Sequence, residues 1–511
     1  MKLSALTDQL IIDAVSGGPH SPDPEVSALC YDSRTVTPGA LFVAIEGFCA
    51  DGHDFAADAV NRGAVAVVCR KALTSPAVVI RVPDPRAALA QLSCRFFRQP
   101  ADHLTMVGVT GTSGKTTVTY LLEQILDKAG YRPGVVGTIN TRYAGNVLAN
   151  PVTTPESCDL QGVLRQMVDS GISHAVMEVS SHSLDLHRLD GCRYDVAVFT
   201  NLSHDHLDHH GSMERYWACK KKLFTEYLKP AGDGNPVRAV VNTDDGRGKE
   251  LAATLGAMAL RTATHAAGDL TPLQTVCDLN GIRGSIATPR GPLAFKSSLV
   301  GHFNLENILS AAGAAIALGI PLKAIAEGIQ ATACVPGRLE RIIEGGDRFI
   351  FVDYSHKPDA LKNAIAALRN LPIGRLITVF GCGGDRDRTK RPLMGEIAAR
   401  LSDLTVITSD NPRSENPLAI IAQVEAGVRT ACTRRLTAAD LPAGWHTKGY
   451  LVEPDRRAAI AAAIAAARTN DAVLIAGKGH ETYQVLAEGT IPFDDRKIAR
   501  GILTATPEAG A

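Results

Sequence analysis

Gly111-Thr112-Ser113-Gly114-Lys115-Thr116-Thr117 sets glycines, one lysine and several hydroxyl side chains between an apolar run at 104–110 and a helical pattern at 116–129. Glycines let backbone N–H groups turn toward an anion, and the start of a helix adds favourable dipole charge. In that setting Lys115 reaches the β- and γ-phosphates of a nucleotide, and the Thr116 hydroxyl sits on Mg²⁺. The strict loop pattern asks for glycine at position 109, where this chain has Val109; the Gly-Lys-Thr core is kept. ATP binding is the expectation, against the plainer reading of a glycine turn with a solvated lysine.

A second cluster, Asn201-Leu202-Ser203-His204-Asp205-His206-Leu207-Asp208-His209-His210, follows an apolar run at 195–200. Taken alone, His204, His206, Asp208 and His209 have the spacing of a two-zinc hydrolase. Such hydrolases carry no phosphate loop upstream, and no later histidine clearly completes the ligand set. The other reading joins the cluster to the nucleotide. Glu178 ends the run at 174–180 and His206 follows the run at 195–200, so both could face the phosphates from one sheet edge. One carboxylate and one imidazole would then serve a second magnesium, which takes few protein ligands. A solvated polar loop is the third possibility.

Elements must position these groups. β-branched apolar runs at 64–69, 104–110, 174–180, 195–200, 349–353, 375–380, 404–408 and 472–477 alternate with helical patterns at 116–129, 158–170, 305–318, 358–369 and 455–468. That alternation predicts an α/β fold with largely parallel sheets. Breaks at Gln99-Pro100 and Pro336-Gly337 suggest three domains, 1–102, 103–336 and 337–511, for a chain of 511 residues. Lys plus Arg and Asp plus Glu are 53 each, so no net field points to nucleic acid or an acidic membrane. No apolar run is long enough to span a bilayer, and the start, interrupted by Asp8 and Asp13, does not read as a signal peptide. The eleven cysteines are scattered without a Cys-x-x-Cys pair, which fits free thiols in a reducing cytoplasm.

Ten motifs stand in order: TGTSGKTT (110–117), TTPES (153–157), EVSSHSLDLHR (178–188), TNLSHDHLDHHGS (200–212), GHFNLEN (301–307), PGRLE (336–340), DYSHKPDAL (353–361), GCGGDRDRTKRP (381–392), DNPR (410–413) and GKGHE (477–481). Together they resemble the Mur ligases of peptidoglycan synthesis, most closely the members that add the third residue of the stem peptide. The resemblance implies an N-terminal domain for the UDP-sugar, a central ATPase domain, and a C-terminal Rossmann-like domain for the amino acid. It implies an ATP-dependent, ADP-forming amide ligase acting on UDP-MurNAc-L-Ala-D-Glu through an acyl phosphate, in the cytoplasm and as a monomer.

The resemblance also distributes roles. Lys115, Glu178, His206 and Lys220 would be catalytic. Thr116, Glu178, His206 and Lys220 would hold magnesium, with Lys220 carbamylated. On its own, the run Lys220-Lys221-Lys222 reads as a solvated basic face. ATP would meet Gly111, Thr112, Ser113, Gly114, Lys115, Thr116 and Thr117, with Asn304, Asn307, Arg338, Asp353 and His356 about its adenosine. Asn304 and Asn307 also suit a helix start. Tyr31, Ser33, Thr153, Thr154, Ser180 and Arg188 would bind the UDP-MurNAc dipeptide.

DNPR marks the members of the family that add meso-diaminopimelate. Its distal carboxylate suits a planar bidentate cation, here Arg413. Arg386, Asp410, Asn411, Pro412, Gly477 and Glu481 would complete that pocket. Alone, the same residues read as an Asn-Pro turn with an exposed arginine. L-lysine is the alternative amino acid, folylpolyglutamate synthase the alternative enzyme, and a non-catalytic nucleotide-binding module the remaining class.

Overall fold

The computed structural model describes residues 1–17, 23–47, 50–230, 236–441, 445 and 447–505. They form two compact units, Met1–Leu270 with Leu309–Gly328, and Thr271–Ile308 with Ile329–Ala511. The boundary expected near 100 lies inside the first unit. The segment Thr271–Ile308, expected in the central domain, packs with the C-terminal part.

The first unit contains two sheets. The smaller joins Ala14–Ser16, Val78–Arg81, Ala66–Cys69, Ala40–Val43 and Ala28–Cys30 in that spatial order, parallel except for Ala14–Ser16. The larger has eight strands. Ala259–Thr262, Ala239–Asn242, Val196–Phe199, Thr105–Thr110, His174–Glu178 and Pro133–Val136 run parallel. Asn140–Tyr143 and Asn146–Ala149 continue it antiparallel. The central strands are continuous apolar runs because both faces are covered. Thr105–Thr110 lies between His174–Glu178 and Val196–Phe199, which brings the carboxyl ends of all three side by side.

The second unit contains a seven-stranded sheet, ordered Glu340–Ile342, Phe349–Asp353, Ala472–Ala476, Leu376–Phe380, Leu404–Ile407, Gly449–Val452 and Arg435–Leu436. All but the first edge strand are parallel, and helices cover both faces in a Rossmann-like arrangement. The segment Thr271–Ser297 adds a separate antiparallel sheet of three strands.

Every cysteine of the described residues is a free thiol; Cys49 lies outside them. Among the described residues no helix is long and apolar enough to cross a membrane.

Candidate active site

The loop after Thr105–Thr110 needs its glycines for steric reasons. At Gly111, φ is +147° and a Cβ would lie 1.9 Å from Thr200 Oγ1. Gly114 is left-handed at φ +87° and opens the helix Lys115–Lys128. The neighbouring strand pins the loop from below. Thr112 N donates to Asn201 O at 2.9 Å, Ser113 N to Asn201 Oδ1 at 2.9 Å, and Thr200 Oγ1 to Ser113 O at 2.6 Å. Lys115 folds back, its Nζ donating to Gly111 O at 2.8 Å and Thr112 O at 3.1 Å. Thr116 and Thr117 are buried in the first helical turn.

Glu178, buried at the end of its strand, accepts from Thr116 Oγ1 at 3.1 Å. It also accepts from Thr138 N at 2.8 Å and Thr138 Oγ1 at 2.9 Å. Thr116 and Glu178 therefore meet directly, and Thr138 is a third member that no motif marked. The donor set is all oxygen, which fits a hard cation such as Mg²⁺.

Lys220 is placed by helical spacing. Met213–Thr225 buries Tyr216, Trp217, Cys219, Lys220, Leu223 and Phe224, so Lys220 lies on the apolar stripe. Lys221 and Lys222 do not. The spacing of those aromatic and aliphatic residues was the readable signal that this lysine differs from its neighbours. Its side chain is 1% exposed, donates to Gly111 O at 2.9 Å and lies 4.6 Å from the Tyr216 ring centre. Burial and the charge of Lys115 hold its amine well below the ordinary lysine range, with Asp205 opposing them.

His206 has φ +52° and starts the turn Leu207–His210. Its Nε2 lies 3.4 Å from Asp205, and its ring meets His182 and Tyr216 edge-on at 4.9 and 6.0 Å. The hydrolase grouping of His204, His206, Asp208 and His209 is replaced by a different one. Asp185, His209 and His210 place a ligand atom each within 4.8 Å of the others, while His204 and Asp208 are exposed.

Of the residues expected around the UDP-MurNAc dipeptide, Thr153, Thr154, Ser180 and Arg188 form one connected group in the first unit. Thr153 Oγ1 is 3.1 Å from Thr138 Oγ1, and Thr154 Oγ1 donates to Glu178 O at 2.8 Å. Ser180 caps the helix Ser181–Asp185 through Ser183 N and is itself bonded to Thr154. Arg188 donates to Thr154 O at 3.0 Å and pairs with Glu156 at 3.1 Å; Arg86 pairs with the same carboxylate at 2.7 Å. Tyr31 OH donates to Asp159 Oδ2 at 2.5 Å, while Ser33 is buried in the short helix Ser33–Thr35.

The remaining expected residues lie in the second unit. Asn304 and Asn307 fall inside the helix His302–Ala317 rather than capping it. Asn304 Nδ2 donates back to Val300 O at 2.8 Å, and Asn307 Nδ2 donates to Asn304 Oδ1 at 3.0 Å. Asp353 accepts from Leu339 N at 2.8 Å and from Ser355, and burial raises its carboxyl above the usual range. Arg338 lies over the Tyr354 ring at 5.2 Å. His356 packs against the same ring at 4.6 Å, tilted 57° to it, and burial pushes it down to about 3.

Three loops meet at the carboxyl ends of Ala472–Ala476, Leu376–Phe380 and Leu404–Ile407, adjacent in the sheet. Asn411 is the junction. It donates to Glu481 at 2.9 Å and accepts from the buried Lys478 at 3.0 Å, and Lys478 pairs with Glu481 at 2.8 Å. Gly477 has φ +115°, and a Cβ there would lie 2.5 Å from the Asp410 carboxylate. Pro412 O sits so near Gly384 that a Cβ there would lie 1.9 Å from it. Arg413 is left-handed at φ +53° and donates to Gly384 O at 2.7 Å. Arg386 is exposed. Lys478 was missed because GKGHE draws attention to its glycines and glutamate.

An α/β chain with a phosphate-binding loop, an acidic partner for its threonine and a second Rossmann-like unit has the architecture of an ATP-dependent ligase. The chain belongs to the Mur ligase family. Family models described as the Mur ligase family catalytic domain, the Mur ligase middle domain and the Mur ligase glutamate ligase domain match residues 25–97, 109–315 and 337–479. A Geobacter sulfurreducens protein named UDP-N-acetylmuramoyl-L-alanyl-D-glutamate–2,6-diaminopimelate ligase is 46% identical, covering 93% of this chain and 94% of its own length. One of the same name from Geobacillus thermodenitrificans is 44% identical, covering 98% and 99%. A solved structure of that name superposes with a TM-score of 0.65 at 33% identity, covering 94% of this chain and 95% of its own. The MurF ligase from Thermotoga maritima in complex with ADP shares the fold, with a TM-score of 0.61 at 20% identity, covering 93% and 98%.

Proposed function

We propose that this chain joins meso-diaminopimelate to the D-glutamate of UDP-MurNAc-L-Ala-D-Glu, converting ATP to ADP and phosphate, in the cytoplasm and as a monomer. The observation that carries the reading is identity of 44–46% along nearly the whole length to relatives named for that reaction. A substrate carboxylate oxygen attacks the γ-phosphorus and ADP leaves. The neutral amine of the amino acid then attacks the acyl carbon, its proton is lost, and phosphate leaves as the amide forms.

Positioning and charge neutralisation are what the protein adds, since two anions must meet in the first step. Lys115 turns from its own loop carbonyls onto the terminal phosphates. Thr116, Glu178, His206 and a carbamylated Lys220 would hold magnesium, which would supply positive charge to neutralise the phosphate oxygens. The buried amine of Lys220 is driven toward its neutral, nucleophilic form, so it can attack CO₂. The N–C bond forms, a proton is released, and one N–H remains to donate to Gly111 O. Arg188 receives a carboxylate of the dipeptide, held ready by Glu156. In the second unit, Arg413 takes the distal carboxylate of the amino acid and Glu481 its distal ammonium, with Lys478 fixing the glutamate. Asn304, Asn307, Arg338, Asp353 and His356 accompany the adenosine.

The test combines the purified chain, Mg-ATP and UDP-MurNAc dipeptide with either diaminopimelate or L-lysine. ADP release and a tripeptide product by mass spectrometry are expected with diaminopimelate. ADP release stimulated by a folate instead would replace the reading.

A further inference from the structure

Next to the phosphate loop, and separate from its oxygen-rich donor set, the structure gathers imidazoles. Asp185 ends the helix Ser181–Asp185, and His209 and His210 close the turn Leu207–His210. His209 Nε2 lies 2.9 Å from Asp185 Oδ2, and His210 Nε2 lies 2.9 Å from Ser181 Oγ. The His209 and His210 ring centres are 4.6 Å apart. His182 packs over the pair, 4.3 Å from His209 and 5.6 Å from His210. One ligand atom each from Asp185, His209 and His210 falls within 4.8 Å of the others.

We propose that Asp185, His209 and His210 form a binding site for a borderline divalent transition metal, Zn²⁺ foremost, distinct from the magnesium positions at the phosphates. Two imidazoles and one carboxylate are a donor set that zinc prefers and magnesium does not. Zinc bonds to such ligands are about 2.0–2.2 Å, so ligand atoms in a tetrahedral shell stand about 3.3–3.6 Å apart. Small side-chain rotations close the observed group to that size. One carboxylate charge leaves the filled site at net +1, with a water to complete a four-coordinate shell. The ion ties the helix that leads to Arg188 to the turn that begins at His206, so it stabilises the fold as well as binding.

The test uses untagged, chelator-stripped, full-length protein in excess Mg²⁺, titrated with Zn²⁺ by calorimetry and with Co²⁺ by visible absorption. One ion per chain is expected. Asp185→Asn and His209→Gln should each weaken binding at least about tenfold, since even outer partners of a metal site are worth about 10–100-fold in affinity. His204→Gln, an exposed neighbour, should bind as the wild type does. Zinc should raise the melting temperature of wild type and His204→Gln but not of Asp185→Asn. Unchanged affinity in Asp185→Asn and His209→Gln, equal loss in His204→Gln, or no bound ion would overturn the site. A lower zinc-free melting temperature in both ligand variants would assign the loss to folding and count against it too.

Discussion

The side-chain nitrogens of Lys115 and Lys220 converge on one acceptor, the carbonyl oxygen of Gly111, at 2.8 and 2.9 Å. Two cations on one carbonyl repel, and the buried partner yields: Lys220 is the one held well below the ordinary lysine range. In the proposed function the two would take separate tasks. Lys115, half-buried at the helix start, would be the charge offered to phosphate, and Lys220 the amine that is modified.

Lys115→Ala should lower the ligation rate by at least about two to three decades, as expected when charge stabilisation of a transferring group is lost. The melting temperature should stay near wild type, because the hydrogen bonds that Lys115 donates to Gly111 O and Thr112 O are local ones within the phosphate loop. Phosphate release and thermal melting check both halves; near wild-type turnover would refute the assignment of the loop.

Lys220→Ala should be nearly inactive and partly rescued by short-chain carboxylic acids, which supply the missing carboxylate. Lys221→Ala and Lys222→Ala should behave like wild type, since neither belongs to the buried stripe of their helix. Equal effects from all three substitutions would mean that the run is a basic surface.

Diaminopimelate should be a far better substrate than L-lysine. Leaving the arginine's charged donors without the distal carboxylate costs on the order of 1–3 kcal/mol, or roughly tenfold to a hundredfold in kcat/KM. Arg413→Ala should raise KM for diaminopimelate and narrow the gap to lysine. KM for ATP should hold steady, because the phosphate loop belongs to the other unit. Comparable kcat/KM values for the two amino acids in the wild type would remove the role given to Arg413 and leave the ligase assignment in place.

Acid should destabilise the protein through two half-buried histidines. Burial holds His356 at about 3 and His480 at about 4, against an ordinary 6.5. Between those values the unfolded chain binds protons that the folded chain does not, so stability falls as pH drops below 6.5. The melting temperature should fall from neutral pH toward pH 5, and His480→Asn should show a smaller fall. An equal fall in the variant would exclude His480 as a source.

Arg456 and Asp495 form a fully buried pair at 2.7 Å, and Arg456 also donates to Ala476 O at 3.0 Å, just before Gly477. Arg456→Ala strands the carboxylate and should cost about 3–5 kcal/mol in denaturant unfolding. A loss below about 1 kcal/mol, the scale of an exposed pair, would show that solvent reaches the carboxylate.

What the sequence determined by itself is local. Alternating β-branched runs and helical patterns specified the strands and helices because backbone preference and burial are read within a few residues. The strand Thr105–Thr110, its glycine turn and the helix Lys115–Lys128 were legible for that reason. Even Lys220 was partly encoded, through the aromatic spacing of its helix. Tertiary structure alone decided the meetings at long range. Lys220 reaches a carbonyl 109 residues away, and Thr116 reaches a carboxylate 62 residues away, because strand order and register set adjacent carboxyl ends level. The same holds for Asn411, on the loop after Leu404–Ile407, which meets Lys478 and Glu481 on the loop after Ala472–Ala476, and for Thr271–Ile308, whose partner unit no local pattern specifies. Asn304 shows the limit in the other direction. Its residue type suits a helix cap, yet the helix begins two residues earlier and its amide turns back to Val300 O, a bond settled by packing rather than by propensity.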